Sequence, residues 1–330
     1  MPLRSKRTMK KYNIPIFIPH EGCPNDCVFC NQKKITGVQT SVTTEEVERI
    51  IEEYLGFLPK ENRYVEVAFF GGSFTGLDLK VQEDFLRSAY KYKDFVDGVR
   101  MSTRPDYIND EVLNLAKKYN VKTIELGLQS SDNEVLQLNG RGHVFEDTIK
   151  AAELIRNSGI NLGLQMMVGM YGSTPEKDVR TAIETAKLKP SCVRIYPTLT
   201  LSGTRLEKLY RDGVYTPYDM DVAVDVTNKV MGVFEAENID IIRVGLHSDE
   251  SLTEESNIIA GPYHPAFREL VLGKRQRNKI EEDIKKNNLS NCEYVVNVPR
   301  NKVSEVIGHK RCNAIYFKEK YNIDLKVVEK

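Results

Sequence analysis

The chain has 330 residues, of which 41% are hydrophobic and 28% charged, and its 47 Lys/Arg balance its 47 Asp/Glu. This is the make-up of a water-soluble globular protein with one large domain, or a large and a small one. No stretch is apolar enough to cross a bilayer, and the basic start MPLRSKRTMKK is followed by too short an apolar run, and no cleavage pattern, for a signal peptide. Six cysteines in so long a chain do not form a disulfide scaffold. The expectation is a cytoplasmic protein with no membrane partner.

In chain order, strand-like apolar runs alternate with segments of helical period. IPIFIP (14–19) reads as a first strand, and 43–58 as a helix with Thr43 or Thr44 as N-cap and glutamates in its first turn. YVEVAFF (64–70) is a strand, 78–92 a helix, GVRMST (98–103) a strand and 108–119 a helix capped by Asn109. VKTIELGLQ (121–129) is a strand, and 145–159 a helix ending at Gly159. INLGLQMMVGM (160–170) is a strand, and 174–189 a helix with Pro175 at its first position. SCVRIYPTL (191–199) is a strand, 219–238 a helix and IDIIRVGL (239–246) a final strand. Residues 248–267 read as a long loop and 267–288 as a basic amphipathic helix; 293–299 is a strand, followed by helix, turn at Gly308, helix and strand.

Repeated βα units imply a parallel sheet covered by helices, and six or seven of them favour a full or partial TIM-like (β/α) barrel. Chemistry in barrels gathers at the C-terminal ends of the strands. The motif-like residues lie there: cysteines after the first strand, Gly71, Gly72 and Ser73 after the second, Gln129 after the fourth. The fold expected is α/β: a partial (β/α)6-7 barrel over 1–250 and a small basic α+β module over 251–330.

GCPNDCVFCNQ (22–32) places Cys23, Cys27 and Cys30 at C-x3-C-x2-C spacing. Closely spaced thiolates on one loop can wrap an iron–sulfur cluster, and three of them leave one iron of a 4Fe–4S cluster open. A zinc site completed by His20 is the alternative, but structural zinc usually recruits a second knuckle and none is present.

CPNDCVFC after a first strand resembles the radical S-adenosylmethionine (SAM) superfamily, and the resemblance extends over roughly 12–245. It implies a 4Fe–4S cluster on Cys23, Cys27 and Cys30, with SAM on the fourth iron. It also implies reductive cleavage of SAM to a 5′-deoxyadenosyl radical, and a reducing electron donor such as flavodoxin or ferredoxin. FFGGSFTG (69–76) resembles the family's glycine motif, which implies SAM contacts at Gly71, Gly72 and Ser73. STRPDYI (102–108), ELGLQS (125–130) and NGRGH (139–143) are similar to stretches of the Elongator catalytic subunit and, more loosely, of oxygen-independent coproporphyrinogen oxidases. By that similarity Gln129 and Arg141 contact SAM, and Ser102 stands where those enzymes carry Glu, with a neutral hydroxyl in place of a carboxylate. A chain of 330 residues has no room for the Elongator acetyltransferase domain, so acetyl transfer is not expected.

The tail is basic: from Arg268 onward 15 Lys/Arg face 9 Asp/Glu, a net of +6 balanced by −6 before it. Its order from 293, βααβ, resembles a minimal KH module with a degenerate GxxG loop of Gly308, His309, Lys310 and Arg311. This points to RNA, tRNA first, as substrate. A small molecule or tetrapyrrole is the second reading, and a non-enzymatic, metal-stabilised RNA-binding protein the third. No catalytic side chain is assigned. His143 follows Arg141 and has the better claim to the active site; His264 in GPYHPAF (261–267) has a weaker one. Arg194 and Tyr196 face the substrate or the helices according to the strand's alternation, Met166 and Met167 read as core, and Cys192 as a small buried hydrophobe.

Overall fold

The computed structural model describes residues 9–18, 23, 26–31, 42–246 and 257–330. The strands are β1 (Lys10–Ile18), β2 (Arg63–Gly71), β3 (Gly98–Thr103), β4 (Val121–Gln129), β5 (Asn161–Val168), β6 (Cys192–Pro197), β7 (Thr200–Leu201), β8 (Asp240–Val244), β9 (Ile258–Ala260), β10 (Glu293–Val298) and β11 (Asp324–Glu329). The helices are α1 (Thr44–Phe57), α2 (Leu79–Tyr90), α3 (Asp110–Lys118), α4 (Asn133–Leu138), α5 (Phe145–Asn157), α6 (Pro175–Lys187), α7 (Arg205–Arg211), α8 (Met220–Ala236), α9 (Phe267–Lys286), α10 (Val303–Ile307) and α11 (Cys312–Tyr321).

Helix starts follow the side chains that can satisfy the first free backbone N–H groups. Thr43 accepts from Glu46 N, Asp78 from Lys80 N, Asn109 from Val112 N, and Thr174 from Lys177 N. The two short helices α4 and α7, and the short antiparallel β7–β9 pair, were not expected. Elements of two to seven residues are too short to display a period.

Seven strands form one parallel sheet in the order β1-β2-β3-β4-β5-β6-β8, as a partial barrel requires. Its convex face carries Ile14 and Ile16, Val67 and Phe69, Met101, Ile124 and Leu126, Leu164 and Met166, and Val193 and Ile195, all within the main buried core. Helices α1, α2, α3, α5, α6 and α8 cover that face. The sheet curls far enough that Lys11, at the start of β1, lies 3.9 Å from Asp240, at the start of β8. The two edges thus approach at the N-terminal end of the strands.

The alternate residues face inward and are mostly charged or polar. Arg100 bonds Glu66 through Nε and Glu125 through Nη1, at 2.8 and 2.7 Å, and Arg194 makes two bonds to Glu125, at 2.6 and 2.9 Å. Burial alone would push the Glu125 carboxyl up, but the two guanidinium groups outweigh it and hold it below the usual carboxylate range. Gly163 makes room for this cluster, since a Cβ there would lie 2.7 Å from Glu125 Cγ.

A second core gathers Ile280, Ile284, Val306, Phe317 and Ile323 under the parallel β10–β11 pair. Helix α9 belongs to both cores: Phe267 and Val271 pack on the barrel, Ile280 and Ile284 under the small sheet. Arg275 fastens its middle to α8 through Glu235 and Asn228, each at 2.7 Å. From β10 to β11 the order is βααβ.

Candidate functional site

The site forms where the ends of β1 to β4 meet the cysteine segment. Val28 N donates to Asn139 O at 3.1 Å, and Leu206 N to Val28 O at 2.7 Å. Val28 is buried with Leu206 and Tyr215, which fixes the segment against α7. Cys27 is buried, whereas Cys23 and Cys30 are half-buried. Burial and the neighbouring Cys27 push the Cys23 thiol up, while Arg104, Arg141 and the Ser73 backbone pull it down. Among the described residues, no three His, Cys, Asp or Glu side chains converge as they would on a single metal ion. His20 lies outside the described residues.

Arg141 comes from the turn after α4. It donates through Nη1 to Cys27 Sγ at 3.3 Å and through Nη2 to Gly127 O at 2.7 Å. A side chain at Gly127 would crowd the site, since a Cβ would stand 3.0 Å from Gln129 Nε2 and 3.3 Å from Arg141 Nη2. Gln129 ends β4 in the left-handed region, at φ +65°, with a buried Oε1 that accepts no hydrogen bond from the described residues. Gly71 has φ +101°, and a Cβ would lie 2.7 Å from Ile18 O; Gly72 N donates to that same carbonyl at 2.8 Å. Two glycines therefore hold the β2 turn tight against the end of β1. The Ser73 hydroxyl is buried and engaged with Thr103 Oγ1 at 2.9 Å and Arg104 N at 3.3 Å, leaving its backbone to face Cys23. Ser102 Oγ accepts from Gln165 Nε2 at 3.1 Å, and Gln165 Nε2 also reaches Glu125 Oε2 at 2.9 Å.

Arg104 and Asp106 were not singled out from the sequence, although both lie inside STRPDYI. Arg104 is 3% exposed and pairs with Asp106 through two bonds of 2.9 and 2.8 Å. Burial works against its charge, but Asp106 and the nearby Cys27 and Cys23 sulfurs stabilise it more. His143 is buried near these two arginines, and burial with their charge pushes its pKa down to about 4; Asp106 and the Leu128 backbone pull weakly the other way. It is therefore a neutral imidazole at physiological pH. Arg194 and Tyr196 share the inner face with Arg100, and Arg194 stacks 5.0 Å from the Phe70 ring centre. Met166 is core, but Met167 is half-buried on the inner face, so the Met pair splits between the two sides. Cys192 is buried, with Arg100 Nη1 3.7 Å from its sulfur. His264 packs edge-on against His309, with ring centres 4.9 Å apart.

The arrangement offers cysteine sulfurs with cations beside them, a tight glycine turn at the end of β2, and a buried acceptor on Gln129 that has no partner among the described residues. No helix of the described residues is long and apolar enough to cross a membrane.

The tRNA uridine(34) acetyltransferase of Methanocaldococcus jannaschii is 29% identical over 211 residues, spanning 57% of this chain and 38% of that protein. The chain thus matches well under half the length of that relative. The solved structure of Methanocaldococcus infernus Elp3, lacking its N-terminus, superposes with a TM-score of 0.63 at 23% identity, covering 84% of this chain and 63% of that one. Coproporphyrinogen III oxidase (HemN) of Escherichia coli, a radical SAM enzyme, gives 0.52 at 16% identity, covering 82% and 59%. These two likenesses concern the fold. The Radical SAM superfamily model matches residues 17–185, and the Radical_SAM C-terminal domain model matches 190–277. With its parallel partial barrel and its cysteine segment at the strand ends, the chain belongs to the radical SAM superfamily of enzymes.

Proposed function

We propose that Cys23, Cys27 and Cys30 hold a 4Fe–4S cluster, that SAM lies over Gly71, Gly72, Ser73, Ser102, Gln129 and Arg141, and that the substrate is tRNA or another RNA. The observation that carries the site is Arg141, which ties the Cys27 sulfur to the β4 backbone beside the unused Gln129 acceptor. The residues fit the cofactors by their chemistry. The donors are soft cysteine sulfurs, and Gln129 Oε1 is a buried acceptor with no donor among the described residues.

When bound, the cluster and SAM supply reductive cleavage to a 5′-deoxyadenosyl radical, with the electron drawn from a donor such as flavodoxin or ferredoxin. The chain's own residues orient and shield. Arg141 and Arg104 set positive charge against the sulfurs, Ser102 offers a neutral hydroxyl held by Gln165, and the ion-paired inner face closes the barrel beneath. Three features support RNA: the likeness to tRNA-modifying proteins, the basic tail, and the βααβ order with Gly308, Lys310 and Arg311 between its helices. The latter two supports favour a degenerate KH-like module and, with tRNA as substrate, a cytoplasmic setting.

The test is anaerobic reconstitution with iron and sulfide, then dithionite and SAM with and without tRNA. Formation of 5′-deoxyadenosine that needs Cys27 and rises with tRNA supports the proposal. Zinc in place of iron overturns the cluster, and product indifferent to tRNA overturns the RNA substrate.

A further inference from the structure

The inner face of the barrel is electrically balanced up to β6. Glu66 and Glu125 are matched by Arg100 and Arg194, with contacts of 2.6 to 2.8 Å. One strand further on, Arg243 of β8 stands in direct register with Arg194. Like charges at paired positions on neighbouring strands repel. Arg243 donates through Nε to Gly245 O at 3.0 Å, and no carboxylate of the described residues forms an ion pair with it. A guanidinium has five N–H donors, so most of its capacity is unspent. Burial, with Arg194 and Arg268 nearby, outweighs the favourable Tyr196 phenol and pushes its pKa below the ordinary arginine range.

A cavity of about 200 Å³ opens beside it, lined by Arg243 and Arg268 together with Leu246, Pro265, Ala266 and Glu269. A liquid water occupies about 30 Å³, so a tetrahedral oxyanion has room. Arg268 is steadied by Nη1 on Ile241 O at 3.1 Å, which leaves its remaining donors to the rim. Among the described residues of the lining, Glu269 is the one opposing charge; it is exposed and pairs with neither arginine. The described lining residues therefore carry a net positive charge.

We propose that Arg243 and Arg268 form a phosphate-binding site at the open edge of the barrel, which takes a backbone phosphate of the RNA substrate. This rests on the RNA reading above. Two guanidinium forks suit phosphate oxygens better than point charges do. A polyanion, rather than a single small anion, is favoured by what adjoins the cavity. Pro265 and Ala266 continue from His264, whose ring packs on His309, and His309 is followed by the exposed Lys310 and Arg311. The His264–His309 contact thus links the loop beside the cavity to the cationic turn of the C-terminal module.

The test uses the full chain and end-labelled unfractionated tRNA, followed by fluorescence anisotropy over a KCl series. R243Q and R268Q should each weaken binding several-fold and reduce the slope of log K against log salt by about 0.7 to 0.9, as expected for one lost phosphate contact. Lys11→Gln, at the closed end of the sheet, should change neither. Should R243Q fail to fold, the exposed Arg268 still supplies the test. If wild type binds tRNA and the variants keep its affinity and slope, the site is overturned and the RNA reading stands. If wild type does not bind tRNA, the RNA reading falls, and thermal melting with inorganic phosphate tests the site separately. A phosphate-dependent rise in Tm that R243Q abolishes retains a phosphate site for a smaller ligand, and no rise overturns it.

Discussion

Arg141 and Cys27 are joined by a hydrogen bond of 3.3 Å from Nη1 to Sγ, while Nη2 of the same guanidinium is held by Gly127 O at 2.7 Å. One planar fork spans 114 residues of sequence and locks the cysteine segment to the end of β4.

Lysine cannot reproduce that fork, since a single ammonium group cannot make both bonds in one plane. Arg141→Lys should lower 5′-deoxyadenosine formation by about 10- to 100-fold, in the range typical for groups that orient metal ligands. Iron content per chain and the electron paramagnetic resonance spectrum with and without SAM separate loss of cluster from loss of SAM binding. Wild-type turnover in the variant would remove Arg141 from the site.

Gly71 is required by its backbone as well as by its neighbours. At φ +101°, with Ile18 O 2.7 Å from a prospective Cβ, Gly71→Ala adds both torsional strain and a clash. The expected loss is on the order of 1–3 kcal/mol in urea unfolding, accompanied by poorer iron loading. An unchanged midpoint would show that the turn can relax at no cost.

Asp178 supplies a pH signature. It accepts from Gly169 N at 2.9 Å and from the hydroxyls of Ser173 and Tyr218, at 2.5 and 3.0 Å. Burial, the largest influence, outweighs those bonds and pushes its pKa up from 3.8 to about 6. The folded chain therefore keeps this proton over a range where the unfolded chain has lost it. The contribution to stability is complete below about pH 4 and is lost as the pH rises through 6. D178N should flatten that dependence, which amounts to about 2–3 kcal/mol, in melts recorded from pH 4 to 7.

Glu281 works in the opposite sense. Its Oε1 accepts from Tyr316 at 2.6 Å, Tyr321 at 2.7 Å and Lys320 at 2.8 Å. Burial would raise its pKa, but Lys320 and the two phenols prevail and bring it down from 4.5 to about 2. Its stabilisation is present above pH 4.5 and is lost as the pH falls toward 2. E281Q should destabilise the second core by on the order of 2 kcal/mol, because its bonds to a charged acceptor become bonds to a neutral one. Hydrogen exchange should then show weaker protection across 293–329 with the seven-stranded sheet unchanged; equal loss in both would mean that the two cores unfold together.

The order of strands and helices, and several caps, could be read from local pattern, because hydrophobic period and capping chemistry act over a few residues. Thr43 and Asn109 cap the helices expected of them. The cysteine segment was legible for the same reason: C-x3-C-x2-C is a local spacing, and its chemistry belongs to thiolates wherever the chain folds. Gln129 and Arg141 stood out by resemblance; their positions beside Gly127 agree with a common site but rest on contacts that no spacing displays.

What folding alone could settle is which side chains face each other across the sheet. Alternation along β6 says that Arg194 and Tyr196 share a face, but not which one, and the answer depends on Glu125 from β4 and Arg100 from β3. The same holds for Arg104 with its sulfur neighbours and for Arg243 beside Arg194. Such pairings join residues dozens of positions apart, and their energies arise from burial and charge that exist only once the sheet has curled.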